Sequence, residues 1–65
     1  MSLPDRIDAA FARAAENGYD MAAIDDADLL ACDLVDFDCD FAREDFGAVR
    51  AACENWLDRQ LGRRP

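Results

Sequence analysis

The chain has 65 residues, 52% of them hydrophobic, with fifteen acids, seven bases that are all arginine, no histidine and a net charge of −8. That length allows one domain with a small core, and that much apolar content excludes a disordered acidic tail. No apolar run is long enough to span a bilayer and no basic segment precedes one, so neither a transmembrane helix nor a signal peptide is expected, and the cytoplasm is the expected location.

The first element is a helix. Ser2 is its expected N-cap, Pro4 lies in the first turn, and Asp5 follows the cap by three residues. Leu3, Ile7, Ala10, Phe11 and Ala14 recur at helical spacing and give one face to a core. Asn17-Gly18 ends the pattern, because glycine accepts the left-handed conformation that terminates helices.

The middle of the chain supports two periods. Leu30, Leu34, Phe37 and Phe41 follow a helical stripe, whereas Val35, Phe37, Cys39 and Phe41 alternate like a half-buried strand. Asp25 or Asp26 is placed to cap a helix over roughly 26–36, and a lone strand has no partner elsewhere in the chain. The reading is therefore a second helix followed by an extended acidic connection. A third helix starts between 41 and 48, with Phe46, Val49, Cys53, Trp56, Leu57 and Leu61 as its stripe. Glu44 and Asp45 stand at its start, Arg59, Arg63 and Arg64 at its end, and Gly62 and Pro65 close it. The expected fold is all-α: one small three-helix domain over residues 1–65, with an acidic extended connection before the last helix.

Catalytic chemistry finds little to work with. The only serine is Ser2, and neither lysine nor threonine is present. Cys32, Cys39 and Cys53 form an odd set without CxxC spacing, which argues against a disulfide framework or zinc site and for small buried apolar residues. An acidic neighbourhood raises a thiol pKa, so Cys39 is a poor nucleophile. An acyl carrier would need a serine at its second helix, where this chain has none. "DFDCDF" begins like a calcium loop through Asp36, Asp38 and Asp40, yet Phe41 stands where glycine makes the turn and Gly47 where a bidentate glutamate belongs. The expectation is a protein that is not an enzyme and uses no metal or other cofactor.

The charge is concentrated. Residues 20–45 hold ten acids and one arginine, a balance of −9, between ends that are close to neutral. Such a field repels nucleic acid and anionic membranes and attracts basic protein surfaces. Proteins that hold nucleic acid present arginine and lysine to phosphates, and carboxylates at similar spacing can occupy that surface. Extended, alternate carboxylates over 36–40 would lie about 6.6 Å apart. On a helix, acids three or four residues apart are about 5–6 Å from one another at Cβ. Asp25 and Asp28, Asp33 and Asp36, and Asp36 and Asp40 have that spacing, and the five are expected to form such a row.

With its brevity, its arginine-only basicity and the central band "DDADLLACDLVDFDCDFARED", the whole chain resembles the small acidic anti-CRISPR proteins of phages and mobile elements. The resemblance is drawn to those directed at type I systems, with type I-C as the narrower expectation. Anti-CRISPR proteins share no motif or fold, so the likeness is one of profile. The resemblance implies an inhibitor working in the host bacterial cytoplasm, which binds a surveillance complex and blocks its reading of target DNA beside the protospacer. Its docking place would be a basic subunit surface, and Asp25, Asp26, Asp28, Asp33, Asp36, Asp38, Asp40, Glu44 and Asp45 would pair with the arginines and lysines there. No direct contact with nucleic acid or membrane is implied, and the protein would be a monomer or a weak homodimer. The alternative is a small helical adaptor or antitoxin-like protein, binding through apolar contacts from among Tyr19, Phe37, Phe41, Phe46 and Trp56. Salt dependence separates the two, because apolar contacts respond little to ionic strength.

Overall fold

Ser2 opens the chain's first helix, its hydroxyl oxygen accepting the Asp5 N–H at 3.3 Å. In this computed structural model, which describes residues 2–62, helix α1 runs over Leu3–Glu16. Asn17 caps its end, donating its side-chain amide to the Arg13 carbonyl at 2.8 Å, and Gly18 turns the chain away with φ +86°. A short 3-10 turn at Met21–Ala23 then buries Met21 between α1 and α3 (Phe46–Leu61).

Helix α2 spans Ala27–Phe37 and settles the ambiguity of the middle in favour of the helical stripe. Of the two candidate caps, Asp26 is the one used, accepting the N–H groups of Asp28 at 2.9 Å and Leu29 at 3.4 Å. The connection that follows differs from the extended segment expected. Asp38, Glu44 and Asp45 have extended backbone, but Cys39–Arg43 form a 3-10 turn between Asp38 and Glu44. The reason is local and tertiary together. The Asp38 carboxylate caps the turn by accepting the Asp40 N–H at 3.1 Å, and the tighter coil carries Phe41 into the core at 2% exposure. A straight strand would have set carboxylates 36, 38 and 40 in one line, and that line does not exist.

Helix α3 starts within the expected window. The Asp45 carboxylate accepts the Ala48 N–H at 3.1 Å, and Gly62 ends the helix in the left-handed region with φ +67°. The expected contribution of Arg63, Arg64 and Pro65 lies outside the described residues.

Both other helices pack chiefly on α3. The core between them contains Ile7, Phe11, Leu30, Leu34, Val49 and Leu57 with alanines 10, 14, 31 and 52. Trp56 is half-buried and tilts at 46° against the Phe11 ring, their centroids 4.2 Å apart. The two ends of the expected α3 stripe, Phe46 and Leu61, are exposed, because the helix extends past the other two elements' cover. Alanine lets the helices approach closely, and each fully buried Leu or Ile contributes about 1.5–3 kcal/mol.

Arginine joins the elements from outside. Arg59 of α3 reaches Asp8 of α1 at 2.9 Å, Arg50 of α3 reaches Asp28 of α2 at 2.5 Å, and Arg13 of α1 reaches Asp38 at 2.9 Å. Arg6 of α1 pairs with Glu44 and lies over the Phe41 ring. Exposed pairs of this kind contribute about 0.2–1 kcal/mol each, so the core carries most of the stability. In urea unfolding, Leu34→Ala should therefore cost about 2–5 kcal/mol. Asp45→Ala, which removes only a cap, should cost about 1 kcal/mol.

Candidate partner-binding surface

The nine acids singled out in the sequence divide by what they do in the fold. Asp26, Asp38 and Asp45 each satisfy backbone N–H groups at the start of a helix or turn. Asp28 and Glu44 are held by Arg50 and Arg6, and Asp38 by Arg13 in addition to its capping role. Arg50's pKa is raised by its hydrogen bond to Asp28 first and by that carboxylate's charge second. Asp25 is exposed at the head of α2 and has an interaction of its own. Asp33, Asp36 and Asp40 remain. All three are exposed, and among the described residues none of their carboxylates makes a hydrogen bond or ion pair.

Asp33 and Asp36 share the outer face of α2. Ala27, Leu30, Ala31 and Leu34 turn inward, so Leu29, Cys32, Asp33 and Asp36 fall on the opposite side of the helical wheel. Leu29 is 60% exposed there. Beside this face lies a shallow groove of about 330 Å³, lined by Tyr19, Met21, Asp33, Asp36 and Phe37. The Tyr19 and Phe37 rings meet edge to face with centroids 5.9 Å apart. Phe37 also borders a second depression, which contains Arg13, Glu16, Asn17, Asp38 and Asp40. The surface is thus an aromatic ridge with carboxylates on both sides, only part of which Arg13 neutralises.

This arrangement works against the helix that bears it. Asp33 and Asp36 are like charges three residues apart, which costs a helix about 0.2–0.5 kcal/mol. Asp36 also occupies the last turn of α2, where the macrodipole disfavours an anion, and α2 contains no basic residue to offset it. The acids at the helix starts are explained by folding. Those on the outer face of α2 are not, and they form the part of the acidic band most readily assigned to binding.

The sequence marks Asp25 or Asp26 as a cap and Asp45 as standing at the start of the last helix, but does not otherwise separate these two groups. The groove is not legible there, because the meeting of Tyr19 with Phe37 depends on the chain reversal at Gly18 and the anchoring of Met21. Leu29 was legible as the residue opposite Leu30, Ala31 and Leu34 on a helical wheel. The expectation of three buried cysteines is corrected: Cys53 is buried, but Cys32 and Cys39 are exposed, because they fall on the solvent sides of α2 and the second turn. Burial raises the Cys53 thiol pKa to about 11. Among the described residues no three cysteine, aspartate or glutamate side chains come together as metal ligands, and no helix is long and apolar enough to cross a membrane. The chain matches no protein-family model, no curated protein and no solved structure.

Two outcomes follow from these placements. Asp36→Asn should raise stability by about 0.3–1 kcal/mol in urea unfolding at low salt, with the gain shrinking as salt is added. A thiol reagent at pH 8 should modify Cys32 and Cys39 in the native protein and reach Cys53 only after unfolding. Because the folded state holds the Cys53 thiol protonated, its contribution to stability is complete below the ordinary thiol pKa and declines as pH rises toward about 11.

Proposed function

We propose that this protein is an inhibitor that occupies the basic, nucleic-acid-holding surface of a partner. The profile it shares with small acidic anti-CRISPR proteins narrows that partner to a type I CRISPR surveillance complex. The observation that carries the reading is a set of exposed carboxylates, Asp33, Asp36 and Asp40, without an ion pair among the described residues, beside an aromatic ridge, while Arg6, Arg13, Arg50 and Arg59 pair with other acids. Such a surface fits the arginines and lysines that otherwise hold phosphates, and charge-assisted pairs of that kind form quickly and weaken with salt. Blocking then needs no chemistry by the inhibitor, since a bound acidic domain both covers the basic surface and repels the approaching duplex.

A second reading, an adaptor docking through apolar contact, is favoured by the 60% exposure of Leu29 and the 59% exposure of Tyr19. Those residues border the same acidic face, so the two readings differ in which contribution dominates.

The test is whether the purified protein stops a type I surveillance complex, type I-C first, from binding its target duplex at low and at high salt. Inhibition at low salt and its relief at high salt are expected. The triple variant Asp33→Asn, Asp36→Asn, Asp40→Asn should inhibit on the order of tenfold less well while keeping its circular dichroism. The charge-removing control Asp5→Asn with Glu54→Gln, in the first turn of α1 and on α3, where Glu54 pairs with Arg50 of its own helix, should inhibit like the parent. If inhibition is indifferent to salt and is lost instead in Leu29→Ala, the apolar reading replaces this one. If duplex binding is untouched at either salt, the inhibitor reading is wrong.

A further inference from the structure

The groove beside α2 combines three features that select one kind of occupant. Its lining includes two aromatic rings, with Tyr19, 59% exposed, set edge to face with Phe37. Its rim bears the carboxylates of Asp33 and Asp36, three residues apart on one helix, both exposed and without an ion pair among the described residues. Its volume of about 330 Å³ is open to solvent on one side and is large enough to admit a single long side chain. An apolar side chain would leave both carboxylates unanswered, and an anion would be repelled.

We propose that this groove takes one arginine side chain of the partner, its guanidinium held between Asp33 and Asp36 and packed against the Tyr19 and Phe37 rings. The inference rests on the reading that the acidic face binds a basic protein surface, and it names the anchor of that contact. Arginine fits better than lysine for two reasons. Its planar fork can engage two carboxylates at once, and its weakly hydrated face stacks on aromatic rings, whereas an ammonium is a compact, strongly hydrated charge. The molecule already contains this combination elsewhere. Arg6 lies over the Phe41 ring at 5.0 Å while its guanidinium pairs with Glu44, so an aromatic ring and a carboxylate jointly hold an arginine in this fold. At the Tyr19 groove the ring and the carboxylates are present, and α2 supplies no cation of its own.

The experiment titrates isotopically labelled protein with N-acetyl-arginine amide and, separately, with N-acetyl-lysine amide at matched ionic strength, following every backbone amide by NMR. Shifts should concentrate on Tyr19, Met21, Asp33, Asp36 and Phe37, and arginine should bind about threefold more tightly than lysine. Asp33→Asn with Asp36→Asn, and separately Tyr19→Ala, should each weaken arginine binding by about threefold to fivefold, while Asp5→Asn with Glu54→Gln leaves it unchanged. Shifts spread evenly over the acids would overturn the proposal, as would equal affinity for lysine or indifference to Tyr19→Ala. The two readings fail separately. Selective arginine binding by a protein that leaves duplex binding intact keeps the groove and removes the inhibitor. Salt-sensitive inhibition that survives Tyr19→Ala, without selective arginine binding, keeps the inhibitor and removes the groove.

Discussion

Phe41 reaches the core from the middle of the most acidic stretch of the chain, with the Arg6 guanidinium 5.0 Å from its ring centroid. Burying that ring requires the backbone on either side to turn, and the turn decides where the acids go. Asp38 is drawn to the head of the 3-10 turn, where its carboxylate both caps the backbone and meets Arg13 of α1. Glu44 is brought back over Arg6. Asp45, one residue later, is left in position to cap α3. A single aromatic side chain thus converts an alternating acidic segment into a folded junction between α2 and α3. The Asp38 and Glu44 carboxylates are satisfied locally and Asp40 faces solvent, which is what an acidic segment needs if it is to lie against a core.

Scarcity of arginine shapes the remaining surface. Four of the described arginines, Arg6, Arg13, Arg50 and Arg59, bridge to acids on other elements. Each bridge is weak by itself. Together they draw the positive charge toward α1, α3 and the junction, and leave the outer face of α2 entirely acidic. The asymmetry of charge is therefore a product of folding as well as of composition. The core contacts make α3 the central element, since α1 and α2 each bury their stripes against it, whereas the ion pairs centre on α1.

Much of this was legible in the sequence because helix ends announce themselves. Ser2, Asn17-Gly18, Asp26, Asp45 and Gly62 act as their residue types suggest, and the stripes of α1 and α2 follow the helical period without interruption. The junction was not legible, because residues 35–41 satisfy the period of two and the period of a helix simultaneously. Only tertiary burial of Phe41 separates them. The binding face was half legible. Counting charge locates the acidic band, but an aspartate that caps a helix and one that merely faces solvent look alike in a sequence. Telling Asp26 from Asp36 requires knowing which end of α2 each occupies, and finding the groove requires the fold-back that sets Tyr19 beside Phe37.

That distinction also bears on which charges a partner would sense. At physiological ionic strength the field of an exposed charge decays over roughly 8 Å. The molecule measures 31 × 26 × 22 Å, so a group docking on α2 is screened from the acids at the far side. Asp33 and Asp36, about 5–6 Å apart at Cβ, lie within one screening length of each other and act together. The net charge of −8 governs approach and solubility. On the function proposed above, the local pair, with the aromatic ridge beside it, would decide what is held. An acid on the C-terminal half of α2 opposes the helix dipole and its acidic neighbour, whereas the same residue at an N-cap stabilises its helix. Aspartate thus stands at positions 33 and 36 of α2 where it weakens the helix, and folding offers no reason for it there.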